Sequence, residues 1–394
     1  MKRHLSKTVD ELQPSGIRRF FDLANGMEDV ISLGVGEPDF VTSWSVREAS
    51  ILSLEKGYTS YTANAGLLEL REEIANYMDR KFDLQYEANS NIIVTVGASQ
   101  ALDIAMRAIV NPGEEVLIIE PSFVAYGPLV ELVGGIPKFV QTNGEEDFKL
   151  HASKIKEQLT DKTKAILICS PNNPTGSVLS KGELEEIAAI AKEHDLIVLA
   201  DEIYAELTYD EEYCSIASLE GMKDRTIIIS GFSKGFAMTG WRLGFLCAHE
   251  DLAGAMLKVH QYAMMCAPTM AQYGALEALK TGEEDVQTMK KSYRRRRNFF
   301  VKSLNEIGLS CHKPGGAFYA FPSVKATGLT SNEFAERLLL EQKVAVVPGH
   351  VFGESGEGYV RCSYAASLDS LQEALRRMER FMNQFTKVKE KQQV

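Results

Sequence analysis

The chain has 394 residues, roughly twice the usual domain length, so two domains or one large α/β domain with an appendage is expected. Its 45% hydrophobic and 25% charged residues exclude a disordered or fibrous protein. With 54 acidic against 43 basic residues the net charge is −11, which disfavours partnership with nucleic acid or an anionic membrane surface.

The N-terminal stretch MKRHLSKTVDELQPSG carries early basic residues with no apolar run behind them. Nowhere do about 18 uncharged apolar residues follow one another, so neither secretion nor a membrane span is expected. From about residue 90 to 250, short apolar runs alternate with amphipathic segments, the pattern of a mostly parallel sheet covered by helices. The runs are NIIVTV (91–96), EVLIIE (115–120), KAILICS (164–170), DLIVLAD (195–201), RTIIIS (225–230) and LGFLCA (243–248). A helix is expected from GASQALDIAMRAIV until the Asn111-Pro112-Gly113 breaker stops it. Another follows Ser180, which with Glu183 has the spacing of a capping box.

After TGEED (281–285) the pattern changes to α+β: a long charged helix, CHKPGGAFYAFPSV, the helix SNEFAERLLLEQKV, a strand-rich stretch and a last amphipathic helix from Ser367. The expected division is a large domain over 47–280 and a small domain from 1–46 with 281–394. The long helix contains RRRR (294–297), which reads as a solvated, salt-bridged face. Six cysteines, at 169, 214, 247, 266, 311 and 362, lack metal-type spacing and read as reduced thiols of a cytoplasmic protein with no metal site.

Ligands of open α/β sheets bind at the carboxyl ends of the strands, so polar residues there are the first candidates. VLADEIY ends on Asp201 after five apolar residues, with Tyr204 three positions on. A lone Asp at a strand end is usually a cap, but a half-buried one can hold a cationic ligand nitrogen. CSPNNPTG leaves a strand with paired asparagines, explicable as a turn or as an amide presented to a ligand. VTVGASQAL opens a helix through small residues, which lets a phosphate approach free N–H groups. In SGFSKGFAMTGWRLG, Lys234 follows an apolar strand among Gly231, Ser233 and Gly235, so its amine can serve as a nucleophile toward a carbonyl. Arg242 offers a bidentate grip on phosphate. A phosphate cradle, strand-end carboxylate, phenol, amide and lysine together suit an aldehyde cofactor with a pyridinium ring.

At these residues the chain resembles the class I/II, fold type I, pyridoxal-phosphate aminotransferases of the aspartate and aromatic subgroup. The likeness runs from LGVGEPDF (33–40) to YVRCSYA (359–365), with GFSKGFAMTGWRLG matching the family's lysine signature. The resemblance implies an α/β fold: a mostly parallel seven-stranded sheet between helices, plus the smaller α+β domain. It implies that Lys234 joins pyridoxal 5′-phosphate covalently and moves the proton between the substrate α-carbon and the cofactor. Asp201 would pair with the pyridine nitrogen, Tyr204 and Asn173 would bond the ring oxygen, and Phe123 would stack on the ring. Ala98, Ser99 and Arg242 would hold the phosphate, with Tyr61 reaching the partner subunit's cofactor in a homodimer with shared active sites. Arg361, assisted by the Gly36 N–H, would clamp the substrate carboxylate, a planar group that calls for a planar fork.

Two departures stand out. Gly231 occupies a position where some relatives carry a phosphate-binding serine, leaving Ser230 and Ser233 as replacements. No motif locates the second arginine that dicarboxylate-specific relatives use; Arg18 and Arg19 in PSGIRRFFDLA are available for a distal carboxylate but read better as two solvated helix charges. The implied activity is transfer of the amino group of aspartate, alanine or an aromatic amino acid to a 2-oxo acid, 2-oxoglutarate above all, in two ping-pong half-reactions. A C–S β-lyase using the same cofactor is the alternative. A non-catalytic effector-binding regulator is disfavoured, because only about 30 residues precede LGVGEPDF, too few for a DNA-binding domain.

Overall fold

The computed structural model describes residues 4–14, 16–17 and 26–392. Its strands are β1 (Ile31–Ser32), β2 (Ile92–Thr95), β3 (Glu115–Glu120), β4 (Ile136–Gln141), β5 (Thr163–Cys169), β6 (Ile197–Asp201), β7 (Thr226–Gly231), β8 (Gly244–Cys247), β9 (Tyr319–Ala320), β10 (Val344–Ala345), β11 (Val347–Pro348) and β12 (Val360–Ser363). Each of the six apolar runs forms a strand. The seventh strand that the resemblance implies is β4, which no apolar run marks: it lies at the edge, is mostly accessible, and includes Pro137 and Lys138. An edge strand needs no continuous apolar run, so its pattern is weak.

The seven strands are ordered β2-β8-β7-β6-β5-β3-β4, and β8 alone runs antiparallel to its neighbours. The protein is thus α/β with a mostly parallel sheet flanked by helices, as expected. The chain turns back across the sheet between β3 and β5, which opens a crevice at their carboxyl ends. Asp201 ends β6 beside Cys169 at the end of β5, so the sheet sets these two side chains next to each other.

Helix Gly97–Ile109 starts directly after β2 and gives way at Val110, just before the Asn111-Pro112-Gly113 breaker. Helix Lys181–Glu193 has the expected capping box: the Ser180 hydroxyl accepts from the Glu183 N–H, and the Glu183 carboxylate accepts from Ser180. Thr330 and Glu333 repeat the device on helix Ser331–Gln342. Each such cap stabilises its helix by about 1 kcal/mol.

The last third builds an antiparallel sheet, β11-β12-β9, and a parallel pair, β1 with β10. That pair carries the N-terminal segment onto the C-terminal third. Leu33, Leu207, Phe300, Phe334, Val344 and Phe381 share one apolar cluster there. All six cysteines are free. Among the described residues no group of acidic, histidine or cysteine side chains could hold a metal ion, and no helix is long and apolar enough to cross a membrane.

The RRRR run corrects its reading as a solvated face. In helix Glu283–Glu306, Arg295 does face outward, but the Arg297 side chain is 0% exposed. Its guanidinium donates to Asp210 at 2.8 and 3.2 Å, to the Pro314 carbonyl at 2.8 Å and to Asn298, and lies 4.9 Å from the centre of the Tyr209 ring. Arg296 forks onto Asp39 at 2.7 and 2.8 Å. The Arg297 bond holds the Asp210 carboxyl well below the usual carboxylate range, with Lys313 adding to it.

Asp210→Ala should therefore cost about 2 to 3 kcal/mol, since it strands a buried cation. Because the folded-state value is depressed, Asp210's contribution is complete above about pH 4 and is lost as pH falls further. Urea unfolding of both proteins from pH 3 to 8 checks this: a gap that does not narrow toward pH 3 would show that the pair is not responsible.

Candidate active site

At the carboxyl ends of β5, β6 and β7 lies a cavity of about 720 Å³. Gly36, Ala98, Ser99, Phe123, Asn173, Asp201, Tyr204, Lys234, Arg242 and Arg361 all line it. Of the site residues expected from the sequence, only Tyr61 lies elsewhere, 77% exposed on the outer surface. Arg18 and Arg19 fall outside the described residues.

Lys234 sits just past β7, and its Nζ donates to the Gly36 carbonyl at 2.6 Å. Gly36, whose carbonyl accepts this bond, lines the same cavity. Burial lowers the Lys234 amine to about 8, with Arg361 and Arg242 pushing the same way and Glu37 and Asp201 opposing. A neutral amine is the nucleophilic form, so the pocket activates it.

Asp201 is 5% exposed, and burial pushes its carboxyl up. The Tyr126 hydroxyl donates to Oδ2 at 2.7 Å and the Ile203 N–H to Oδ1 at 3.2 Å, both favouring the charged form. The Tyr204 hydroxyl is 2.9 Å from that of Tyr319.

Arg361 lies on β12, with its guanidinium between two aromatic rings, 4.4 Å from the centre of Tyr319 and 5.0 Å from that of Phe352. It donates to Asn173 Oδ1 at 2.8 Å and to the Gly34 carbonyl at 2.7 Å. Its Nε has no hydrogen-bond partner among the described residues. A stacked planar cation with an unspent donor is suited to a carboxylate.

Opposite lies the start of helix Gly97–Ile109. Arg242 adopts a left-handed conformation at φ 53° and donates to the Thr239 carbonyl at 3.0 Å. A Cβ at Gly97 would stand 2.7 Å from Arg242 Nη2, and one at Gly244 would stand 2.6 Å from the Ala98 nitrogen. Close backbone approach here keeps the helix's first N–H groups and the guanidinium on one anion-sized space. Gly231 is settled by the same packing: a side chain there would meet Gly244 Cα at 2.8 Å and the Leu243 carbonyl at 3.0 Å. Ser233 lines the cavity and Ser230 does not.

Tyr126 and Tyr319 were missed in the sequence. Tyr126 stands three residues after Phe123 in EPSFVAYGP, a spacing that a helix start turns into contact, and their rings meet edge-on at 5.7 Å. Tyr319 lies in an apolar run whose pattern hides its hydroxyl.

Residues 28–378 match the family model described as aminotransferase class I and II. The Bacillus subtilis protein YugH is 70% identical over 98% of this chain and 100% of its own. Aspartate aminotransferase of Pyrococcus abyssi is 50% identical over 96% of this chain and 98% of its own. The crystal structure of an aromatic aminotransferase from Pyrococcus horikoshii superposes with a TM-score of 0.89 at 48% identity, covering 93% of this chain and 99% of that one. The chain belongs to the class I and II aminotransferases. It is therefore a pyridoxal-phosphate-dependent enzyme that moves an amino group from an amino acid to a 2-oxo acid.

The residues present fit that cofactor. A buried carboxylate with no cation in hydrogen-bond contact suits a protonated ring nitrogen, an amine near 8 suits an aldehyde, and the glycine-lined helix start with Arg242 suits a phosphate. Acetylation of the cofactor-free protein with acetic anhydride should label Lys234 at a rate that rises with pH to a midpoint near 8, against about 10.4 for surface lysines. Peptide mass spectrometry reads both; a Lys234 midpoint near 10 would remove the case for an activated amine.

Proposed function

We propose that Lys234, Asp201, Tyr204, Asn173, Phe123, Ala98, Ser99, Arg242 and Arg361 carry the transamination. The single observation behind this assignment is their convergence on one cavity that pairs an activated amine with a buried carboxylate. Bound there, pyridoxal phosphate supplies a carbonyl that takes up the amino group and a protonated ring that draws electrons from the substrate α-carbon. Arg242, the Ala98 and Ser99 end of the helix, and the Ser233 hydroxyl hold the phosphate. Asp201 would pair with the ring nitrogen, Tyr204 and Asn173 would bond the ring oxygen, and Phe123 would cover the ring. Arg361 grips the substrate carboxylate and thereby aims the α-hydrogen at Lys234. The Lys234 amine would take that proton and pass it to the cofactor's former carbonyl carbon within the same half-reaction, and in the second half-reaction would carry a proton the other way, from that carbon to the α-carbon of the new amino acid.

The amino donor is aspartate, alanine or an aromatic amino acid, and 2-oxoglutarate the acceptor. Relatives named for both aspartate and aromatic substrates support this range. The division into a large unit over 47–280 and a small unit from 1–46 with 281–394 is part of the same proposal, as is a cytoplasmic location.

A homodimer is supported by an apolar surface. Trp44, Ile51, Leu54 and Tyr58 are exposed, as are Tyr61 and Tyr262, the last at 91%. The surrounding segments are tied together by Asn64, which donates to the carbonyls of Met264 and Met265, and by the stacked Tyr58 and Tyr273 rings. A patch of this kind marks a protein interface, and Tyr61 on it lies outside its own chain's cavity, where it would face the partner subunit's site.

Spectra, single variants and mixed protomers test these assignments. The visible absorbance of the loaded enzyme should fall on addition of aspartate or phenylalanine and return with 2-oxoglutarate. Lys234→Ala should bind cofactor yet turn over at least about 10⁴-fold more slowly; near-normal turnover would refute the lysine assignment. Tyr61→Phe should weaken cofactor binding about tenfold, as loss of a bond to a charged phosphate does. Mixing Lys234→Ala with Tyr61→Phe protomers should restore one intact site per heterodimer. Additive, unrestored activity would mean that the sites are not shared.

A further inference from the structure

Asp201 has two hydrogen-bond donors among the described residues, and one is a side chain: the Tyr126 phenol, 2.7 Å from Oδ2. The other, the Ile203 N–H, is longer at 3.2 Å and is offered by the backbone. Tyr126 is 1% exposed and begins helix Tyr126–Leu132, where packing against Phe123 fixes its ring. Cys169, beside Asp201 across β5 and β6, gives its thiol to the Pro171 carbonyl at 3.4 Å. Lys234 is the cation that acts on Asp201, from beyond hydrogen-bond distance.

We propose that Tyr126 is a positioning residue whose phenol keeps the Asp201 carboxylate ionised and aimed, so that Asp201 can hold the cofactor's ring nitrogen protonated. This inference rests on the proposed pairing of Asp201 with that nitrogen. Burial alone drives Asp201 toward its neutral form, and a neutral carboxyl cannot stabilise a ring cation. A donor that is itself buried meets the need. The Tyr126 phenol is pushed well above its ordinary value, so it remains protonated and keeps donating across the working pH range. The Cys169 thiol is also pushed up by burial and adds no charge.

Two bases, the ring nitrogen and Asp201, would compete for one proton. Removing the phenol's hydroxyl raises the proton affinity of Asp201 and moves the proton from the nitrogen toward the carboxylate. Were Tyr126 only filling space, loss of its hydroxyl would leave that proton where it is.

The experiment loads unaltered enzyme, Tyr126→Phe and a 3-fluorotyrosine-126 protein with pyridoxal phosphate labelled with ¹⁵N in the ring, and reads the ¹⁵N shift. Tyr126→Phe should move the resonance toward the unprotonated pyridine and lower kcat roughly tenfold with KM for the amino donor little changed. The fluorinated phenol, a more acidic donor, should move the resonance the other way. A protonated ring whose resonance does not respond to either change would overturn the Tyr126 inference and leave the Asp201 pairing standing. An unprotonated ring in the unaltered enzyme would overturn both.

Discussion

Holding the Asp201 carboxylate out of water is the constraint on which the site depends. A carboxylate at the end of a central strand is shielded by its neighbours β5 and β7 and by the helices over them, so solvent cannot stabilise its charge. Among the described residues Asp201 has neutral donors, Tyr126 and the Ile203 N–H, and no cation in hydrogen-bond contact. That arrangement leaves a place for a cation from outside the chain. Around it the cavity has the opposite imbalance: Lys234, Arg242 and Arg361 line the same space. Two of these press the Lys234 amine toward neutrality, so the cations that suit anionic ligands also sharpen the nucleophile. A ligand with one cationic ring nitrogen and a dianionic phosphate answers both imbalances at once.

The fold supports this by bringing distant segments together. Arg361 comes from β12, Gly34 and Gly36 from the N-terminal segment, and Asn173 from the loop after β5, yet one guanidinium bonds or neighbours all of them. The rings of Tyr319 and Phe352, 4.4 and 5.0 Å from the guanidinium, support the fork without spending its donors. Tyr319 also joins Tyr204 through their hydroxyls, so the proposed substrate clamp and the proposed contact to the ring oxygen share one support.

How much of this was legible in the sequence follows from the physics of each residue. Asp201, Lys234 and the helix start at Gly97 were readable because each interrupts an apolar run at a strand end, where a polar residue has few structural reasons to be. Tyr126 and Tyr319 were not, because a buried tyrosine contributes to an apolar pattern like a phenylalanine and its hydroxyl shows only when its partner is seen. The edge strand β4 was hidden for a related reason: it buries too little to need an apolar sequence. Gly231 showed the reverse. Its missing side chain looked like a lost hydroxyl, but the backbone of β8 lies too close for any side chain, so the space had been given to packing.

The arginines carry the same lesson furthest, because one residue type does four things here. Arg295 is a solvated helix charge, while Arg297 two positions on is enclosed and held by Asp210, Pro314 and Asn298. Arg242 keeps its guanidinium accessible against a helix start that admits no Cβ, and Arg361 is enclosed but has a donor to spare. Charge is equal in all four, so charge cannot separate their roles. What separates them is whether the donors are already spent within the chain. Arg297 has spent its own and can only support the fold; Arg361 retains a buried Nε on the wall of the cavity, where a ligand carboxylate can complete it.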